Sequence, residues 1–392
     1  MKNFFSDPDN LNENPIRVLR GNVYQELSRL SPSFIAVLRK AAAEGKLDPS
    51  NIQFSDSEYP ATNGPAAGVG MVLLYDGFQM YLWCMCYCFV VYHSEMTVKR
   101  QANRDEENDD VMDGVDMEKL KTAMKLMEYA QSLLKGYHPW DISLPNPAYY
   151  SDEMHDTITK VNAVYLHAMN FVIAHEVAHI ELDHVTDNAA LDLTELDMEI
   201  QADARSVELI KDGMTTINKD TAELGVLAAL CTLLLMKSEL SGGGHPDSDD
   251  RIGAFIEHII VDNHSHLWGI AVLAYRLWAD HYGHGIFFFQ NLDSAKLIYD
   301  EIRKQLKEET LVQYCEVIVP EGTYGVTCYD VGDRRQFYTK IDGFGVWFEA
   351  DQLRGTVKPI MNDQYIDPTK ISDFITALSG LIDNGSSGDQ VQ

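Results

Sequence analysis

His175 and His179 stand four apart in the stretch FVIAHEVAHIELDH, Phe171–His184. On a helix that separation stacks two imidazoles on one face, one turn apart. Rings so placed can each aim a nitrogen at a single tetrahedral Zn²⁺, at about 2.0–2.1 Å. Glu176 projects beside that face, where it can reach a water on the ion. The HExxH spacing therefore supplies two metal ligands and a general base. The residues before it support the helix: Val161, Val164, Ala168, Phe171 and Val172 recur at helical spacing and continue the histidine face.

A third ligand must come from elsewhere in the chain. After a short acidic loop, Thr194-x-x-Asp197 reads as a capping box that opens a helix to about Lys211, closed by Gly213. Returning antiparallel, this helix brings Glu195, Asp197 and Glu199 within reach of the histidines. Of these, Glu199 is followed one turn on by an acid that is not itself a candidate ligand, Asp203, in EIQAD. Glu199 is thus the expected ligand, and Asp203 the expected acceptor for the free ring N–H of a ligand histidine. Taken alone, EIQAD also reads as a solvated acidic face; the upstream HExxH tips the balance. Further on, three glycines precede His245-Pro246, and Arg251 follows. The triglycine lets His245 approach a cleft and donate to a developing oxyanion, and Arg251 is suited to pair a buried carboxylate. His184 lies one residue short of a metzincin third histidine, whose position holds Val185, so it is assigned a supporting or structural place.

Composition sets the limits. The chain has 392 residues, 45% of them hydrophobic, enough for a large core. Its formal net charge is −29, a field that opposes nucleic acid and anionic membrane surfaces and attracts cations. The polar, acidic start shows no secretory signal, and the six cysteines form no disulfide framework, so a cytoplasmic location is expected. The longest apolar run, Met80–Tyr92, is too short for a membrane span; it reads as a buried strand or a buried helix, and periodicity does not choose. Its CxCxC is read as packing.

The remaining chain supplies scaffolding. Residues 1–20 look poorly ordered. Ser31-Pro32 opens a helix closed by Gly45, and 46–68 read as a loop rich in Asp, Ser, Pro and Gly. A helix over Glu118–Leu134 directs Leu120, Met124, Met127 and Leu133 inward. Apolar helices follow near 221–240, from Pro246 to about Val261, and over His266–His281 and Asp293–Glu309. From Leu311 the texture turns β-branched and aromatic, with turn signals at Glu321-Gly322, Gly332-Asp333 and Asp342-Gly343, which predicts an antiparallel meander. A last helix starts at Asp367-Pro368.

HExxH with a downstream E-x-x-x-D helix resembles the gluzincin metallopeptidases. More narrowly, HEVAHIELDH, EIQAD and HPDSDDRI are similar to the HExxHxxxxH, E-x-x-A-D and H-P-x-x-x-x-R-I patterns of the Ste24/heat-shock peptidase clan, and to soluble bacterial phage-exclusion peptidases. The resemblance covers roughly residues 160–255. With the elements read from the residues, it gives an expected α+β chain: a mainly helical zincin-like core over 69–310, after an N-terminal helical and loop segment at 1–68 and before an antiparallel β module with a final helix and disordered tail at 311–392. The expected activity is zinc-dependent hydrolysis of a protein or peptide, with His175, His179 and Glu199 as ligands and Glu176 and His245 in catalysis. Asp203, Arg251 and His184 would support them. The competing readings are a zinc-stapled scaffold without activity and a hydrolase of non-peptide amides.

Overall fold

A computed structural model of the chain describes residues 13–27, 29, 31–98, 114–185, 194–214, 218–238, 248–259, 265–284, 286, 294–307, 312–320, 322–331, 334–341, 344–351, 356–361 and 368–385. Helices dominate, with two small sheets, an α+β architecture. The chain forms two compact units, Met1–Ala274 and Tyr275–Gln392.

The first unit opens with a 3-10 turn, Pro15–Leu19, capped by Asn14, which runs into α1 (Arg20–Leu27). This corrects the reading of residues 13–20 as poorly ordered. Ile16 and Leu19 are buried, and Arg17 and Arg20 both pair with the buried Asp76 carboxylate. Composition alone hides that anchor, because its partner lies about sixty positions away. Helix α2 (Pro32–Ala43) has Ser31 as its N-cap and Gly45 beyond its end at φ +71°, as the cap signals predict.

Of residues 46–68, read as a loop, only 56–65 are one; strands flank them. Strand β1 (Leu47–Ser55) runs parallel to β3 (Gly70–Tyr75), and β2 (Ala66–Gly68) pairs antiparallel on the other side of β3. Pro49 is tolerated because β1 is an edge strand whose register shifts between Leu47 and Ile52. The buried run that follows is a helix, α3 (Asp76–Tyr92), enclosed along nearly its whole length. Burial raises the thiols of Cys84, Cys86 and Cys88, the last to about 12, so they pack as neutral groups.

Helix α4 (Met117–Lys135) is capped by Asp116. Its buried stripe is Leu120, Ala123, Leu126, Ala130 and Leu133, which leaves Met124 exposed, contrary to the pattern read from the bulkier residues. Helix α5 (His155–Glu181) is the axis of the unit, packed by α3, by α6 (Glu195–Lys211) and by α7 (Lys219–Leu235). The α5–α7 approach is close: a Cβ at Gly225 would lie 2.5 Å from His167 Cβ and 2.8 Å from the Val164 carbonyl. Helices α8 (Ser248–Ile259) and α9 (Leu267–Tyr282) follow, and α8 packs on α7. No helix among the described residues is long and apolar enough to cross a membrane.

The second unit holds α10 (Ala295–Lys307) and the meander β4 (Val312–Val319), β5 (Gly322–Val331), β6 (Arg334–Ile341), β7 (Phe344–Asp351) and β8 (Thr356–Met361), paired in chain order. Four of these strands match the expected runs; the fifth, with a proline inside it, lies outside them. Helix α11 (Pro368–Gly385) covers the inner face, where Phe374 stacks on Phe348 with centroids 4.9 Å apart.

One buried group makes the first unit sensitive to acid. His93, in the π-helical turn after α3, is 6% exposed, lies 4.5 Å from the His266 ring, and has no partner for either nitrogen among the described residues. Burial, and then His266 and Lys160, hold it down to about 4 from 6.5. The unfolded chain therefore takes up this proton first as pH falls. Its share of stability is fully present above pH 6.5 and is lost as pH approaches 4. His93→Phe keeps the ring packing and should flatten part of that loss, read as a shallower fall of the urea midpoint over the window. Identical slopes in the two proteins would refute the assignment.

Candidate metal centre

Helix α5 carries His175, Glu176 and His179 into the core end of a cleft of about 470 Å³. His175 and Glu176 are 8% and 9% exposed. The capping box predicted at Thr194 is formed, with Asp197 bonded reciprocally to Thr194, and it starts α6 in register to return along α5. Arg205 on α6 forks onto Glu181 on α5 at 2.8 and 2.9 Å, fixing the two helices side by side.

That return brings Glu199 to the histidines. His175 Nε2 lies 3.3 Å from Glu199 Oε2, His179 Nε2 lies 3.2 Å from Glu199 Oε1, and the two Nε2 atoms are 3.1 Å apart. These three residues are the one His/Cys/Asp/Glu group among the described residues able to hold a metal ion. Glu195, in the first turn of α6, is not part of it.

The far nitrogens of both rings are held. His175 Nδ1 lies 2.9 Å from Asp203 Oδ1, and Arg251 from α8 grips the same carboxylate at 2.6 and 2.7 Å. Burial disfavours the Asp203 anion, but Arg251 and His175 outweigh it and lower its pKa, so it stays an anion beside His175 Nδ1. The other ring is served by the end of α5. There Asp183 takes a left-handed φ of 64°, its N–H donates to Ile180 O at 3.3 Å, and His184 N–H donates to His179 O at 2.9 Å. This is a Schellman ending, which sets the residue after the left-handed one against the residue at the start of the last turn. His184 Nδ1 consequently lies 3.1 Å from His179 Nδ1, and its Nε2 is 3.4 Å from Gln201 Oε1. Lys46 Nζ, 2.9 Å from Asp183, braces the turn.

In the neutral tautomers that keep Nδ1–H on the sides facing His184 and Asp203, both Nε2 atoms turn lone pairs toward the Glu199 carboxylate. Two ring nitrogens and a carboxylate thus converge on one point, an arrangement that a cation satisfies. Burial opposes a charge on His175, yet Asp203 and Glu199 outweigh it and raise the ring to about 9, a measure of how strongly this corner attracts positive charge. Glu176 is held among them, its pKa raised by burial against the pull of His175 and His179, and the Ala67 N–H of β2 donates to its carboxylate.

Sequence reasoning placed His175, Glu176, His179, Glu199, Asp203, Arg251 and His184 at one site, and the structure brings these seven together. His245 lies outside the described residues. What it missed is the contribution of β2, whose Ala67 N–H lies in a stretch that composition marks as loop, and the link from His184 to Gln201. It also missed the cleft wall of Phe171, Leu233 and Met236, which has no signature beyond apolarity.

Residues 72–271 match the family model described as Peptidase U49. No curated protein and no solved structure matches the chain. The matched stretch begins in β3, ends in the first turns of α9, and holds the whole His175–Arg251 assembly. Since it spans just over half of the sequence, this chain belongs to the Peptidase U49 family.

Proposed function

We propose that the chain is a zinc-dependent endopeptidase whose ion is held by His175, His179 and Glu199. The observation that carries the reading is the convergence of three lone-pair donors whose other atoms are already engaged. Their separations of 3.1, 3.2 and 3.3 Å suit zinc. A tetrahedral ion with bonds of about 2.0–2.1 Å spaces its ligands roughly 3.3–3.4 Å apart. Zinc, when bound, supplies a Lewis acid that makes water acidic near neutral pH and draws charge from a carbonyl oxygen.

The chain's own residues do the rest. Glu176, enclosed beside the ligands and steadied by the Ala67 N–H, takes the proton of the attacking water and passes it to the departing amine. Asp203, fixed by Arg251, keeps the His175 ring oriented with Nε2 unprotonated, and His184 does the same for His179. Phe171, Leu233 and Met236 wall the cleft and exclude water from around the substrate. His245 is the proposed donor to the oxyanion. A scaffold in which zinc only staples α5 to α6 would have no use for a buried carboxylate beside the ligands.

Ligand identity is read from metal content. Glu199→Ala should lose zinc, and Glu195→Ala should retain it; the reverse pattern would overturn the ligand set. Catalysis is read from Glu176→Gln, which keeps the side-chain shape but cannot accept a proton. That variant should stay folded and zinc-loaded while peptide hydrolysis falls by about 10²–10⁴-fold. Undiminished hydrolysis would remove Glu176 from the mechanism.

A further inference from the structure

On the face of α5 turned away from the cleft, Asn170 is 1% exposed, and neither its Oδ1 nor its Nδ2 has a partner among the described residues. A buried carboxamide left unbonded is costly, and native interiors nearly always satisfy one. Asn170 lines a cavity of about 50 Å³ where α1, α5, the end of α6 and the start of α7 meet. At about 10–15 Å³ for each water-sized group, it has room for about three to five non-hydrogen atoms.

The other polar lining comes as opposite charges. Glu26 and Arg29 reach the cavity from the end of α1, one helical turn apart, and Arg29 is exposed at its mouth. They do not pair with each other, and no other hydrogen bond or ion pair engages either side chain among the described residues. His167, one turn before Asn170, and Asn218 complete the polar wall; burial, against the pull of Glu26, lowers the His167 pKa, which leaves the ring neutral. The site therefore offers an anion, a cation, and a carboxamide with both senses of hydrogen bond unused, all around a space too small for more than a few atoms.

We propose that this cavity binds the zwitterionic head of a free α-amino acid. The carboxylate meets Arg29 and the Asn170 Nδ2–H, and the ammonium meets Glu26 and Asn170 Oδ1. A simple anion or cation satisfies half of that set and leaves a charge and one carboxamide atom unmatched. The ligand would also brace the junction of α5 and α6, the two helices that bear His175, His179 and Glu199, from the side opposite the cleft.

Isothermal titration of the full-length protein tests the assignment, with glycine as probe and acetate, methylamine, N-acetylglycine and glycinamide as controls. Glycine should bind at millimolar concentration, and each control, lacking one of the two charges, should bind about tenfold or more weakly. Arg29→Ala changes an exposed side chain and should fold, as should Glu26→Gln; each should weaken glycine by about tenfold to a hundredfold. Asn170→Leu should abolish binding, and a folded Asn170→Leu that still binds glycine would overturn the proposal. Glycine binding that is unchanged in Arg29→Ala would place the ligand at the metal centre and do the same. No heat from glycine would mean that the cavity holds only water, and that too refutes it.

Discussion

The site depends on the Asp203 carboxylate. Lying on α6, it receives Arg251 from α8 and His175 from α5, so one anion joins three helices and sets one ring. A carboxylate this enclosed is stable only when paired, since the loss of hydration otherwise outweighs any single contact. Arg251 supplies the pairing, and the imidazole uses the oxygen lone pair that remains. The second histidine is fixed by different means. His179 is oriented by the way its helix ends, because the left-handed turn at Asp183 folds His184 back onto it. One ring is thus held by a long-range ion pair and the other by local backbone geometry.

Charge shapes the same corner. Glu176, Glu199 and Asp203 converge around two imidazoles, with Arg251 as the cation that faces them. The surplus of negative charge is what lifts His175 to about 9. Across the whole chain the formal charge of −29 has the same sign, and fields of that kind raise the local concentration of divalent cations. Elsewhere the core gathers neutral groups: the buried thiols of α3, a His93 held unprotonated, and helices packed closely enough that only glycine fits at position 225.

Much of the site was legible because its logic is local in sequence. Four-residue spacing placed His175 and His179 on one face, a capping box gave the start of α6, and the Glu199–Asp203 interval fixed which acid follows which. Arg251 could be read as a partner for a buried carboxylate. The rest depends on contacts between distant residues. Strand β1 looks like a loop until β3 lies beside it, and the 3-10 turn at Pro15 looks loose until Arg17 finds Asp76. Met124 reads as core by bulk, yet the packed stripe of α4 runs through two alanines. The choice between strand and helix for Met80–Tyr92 needed its surroundings, because a segment buried on all sides has no periodicity to read.

In the proposed site, three side chains from two antiparallel helices, His175, His179 and Glu199, hold a zinc ion beside the buried Glu176 carboxylate. A crystal structure of the zinc-loaded protein, with anomalous diffraction recorded on both sides of the zinc edge, tests it most directly. One anomalous peak is expected at bonding distance, about 2.0–2.2 Å, from His175 Nε2, His179 Nε2 and a Glu199 oxygen, with Glu176 near the ion but not bonded to it. A peak ligated by Glu195 or His184, or one that takes Glu176 as a ligand, would contradict it.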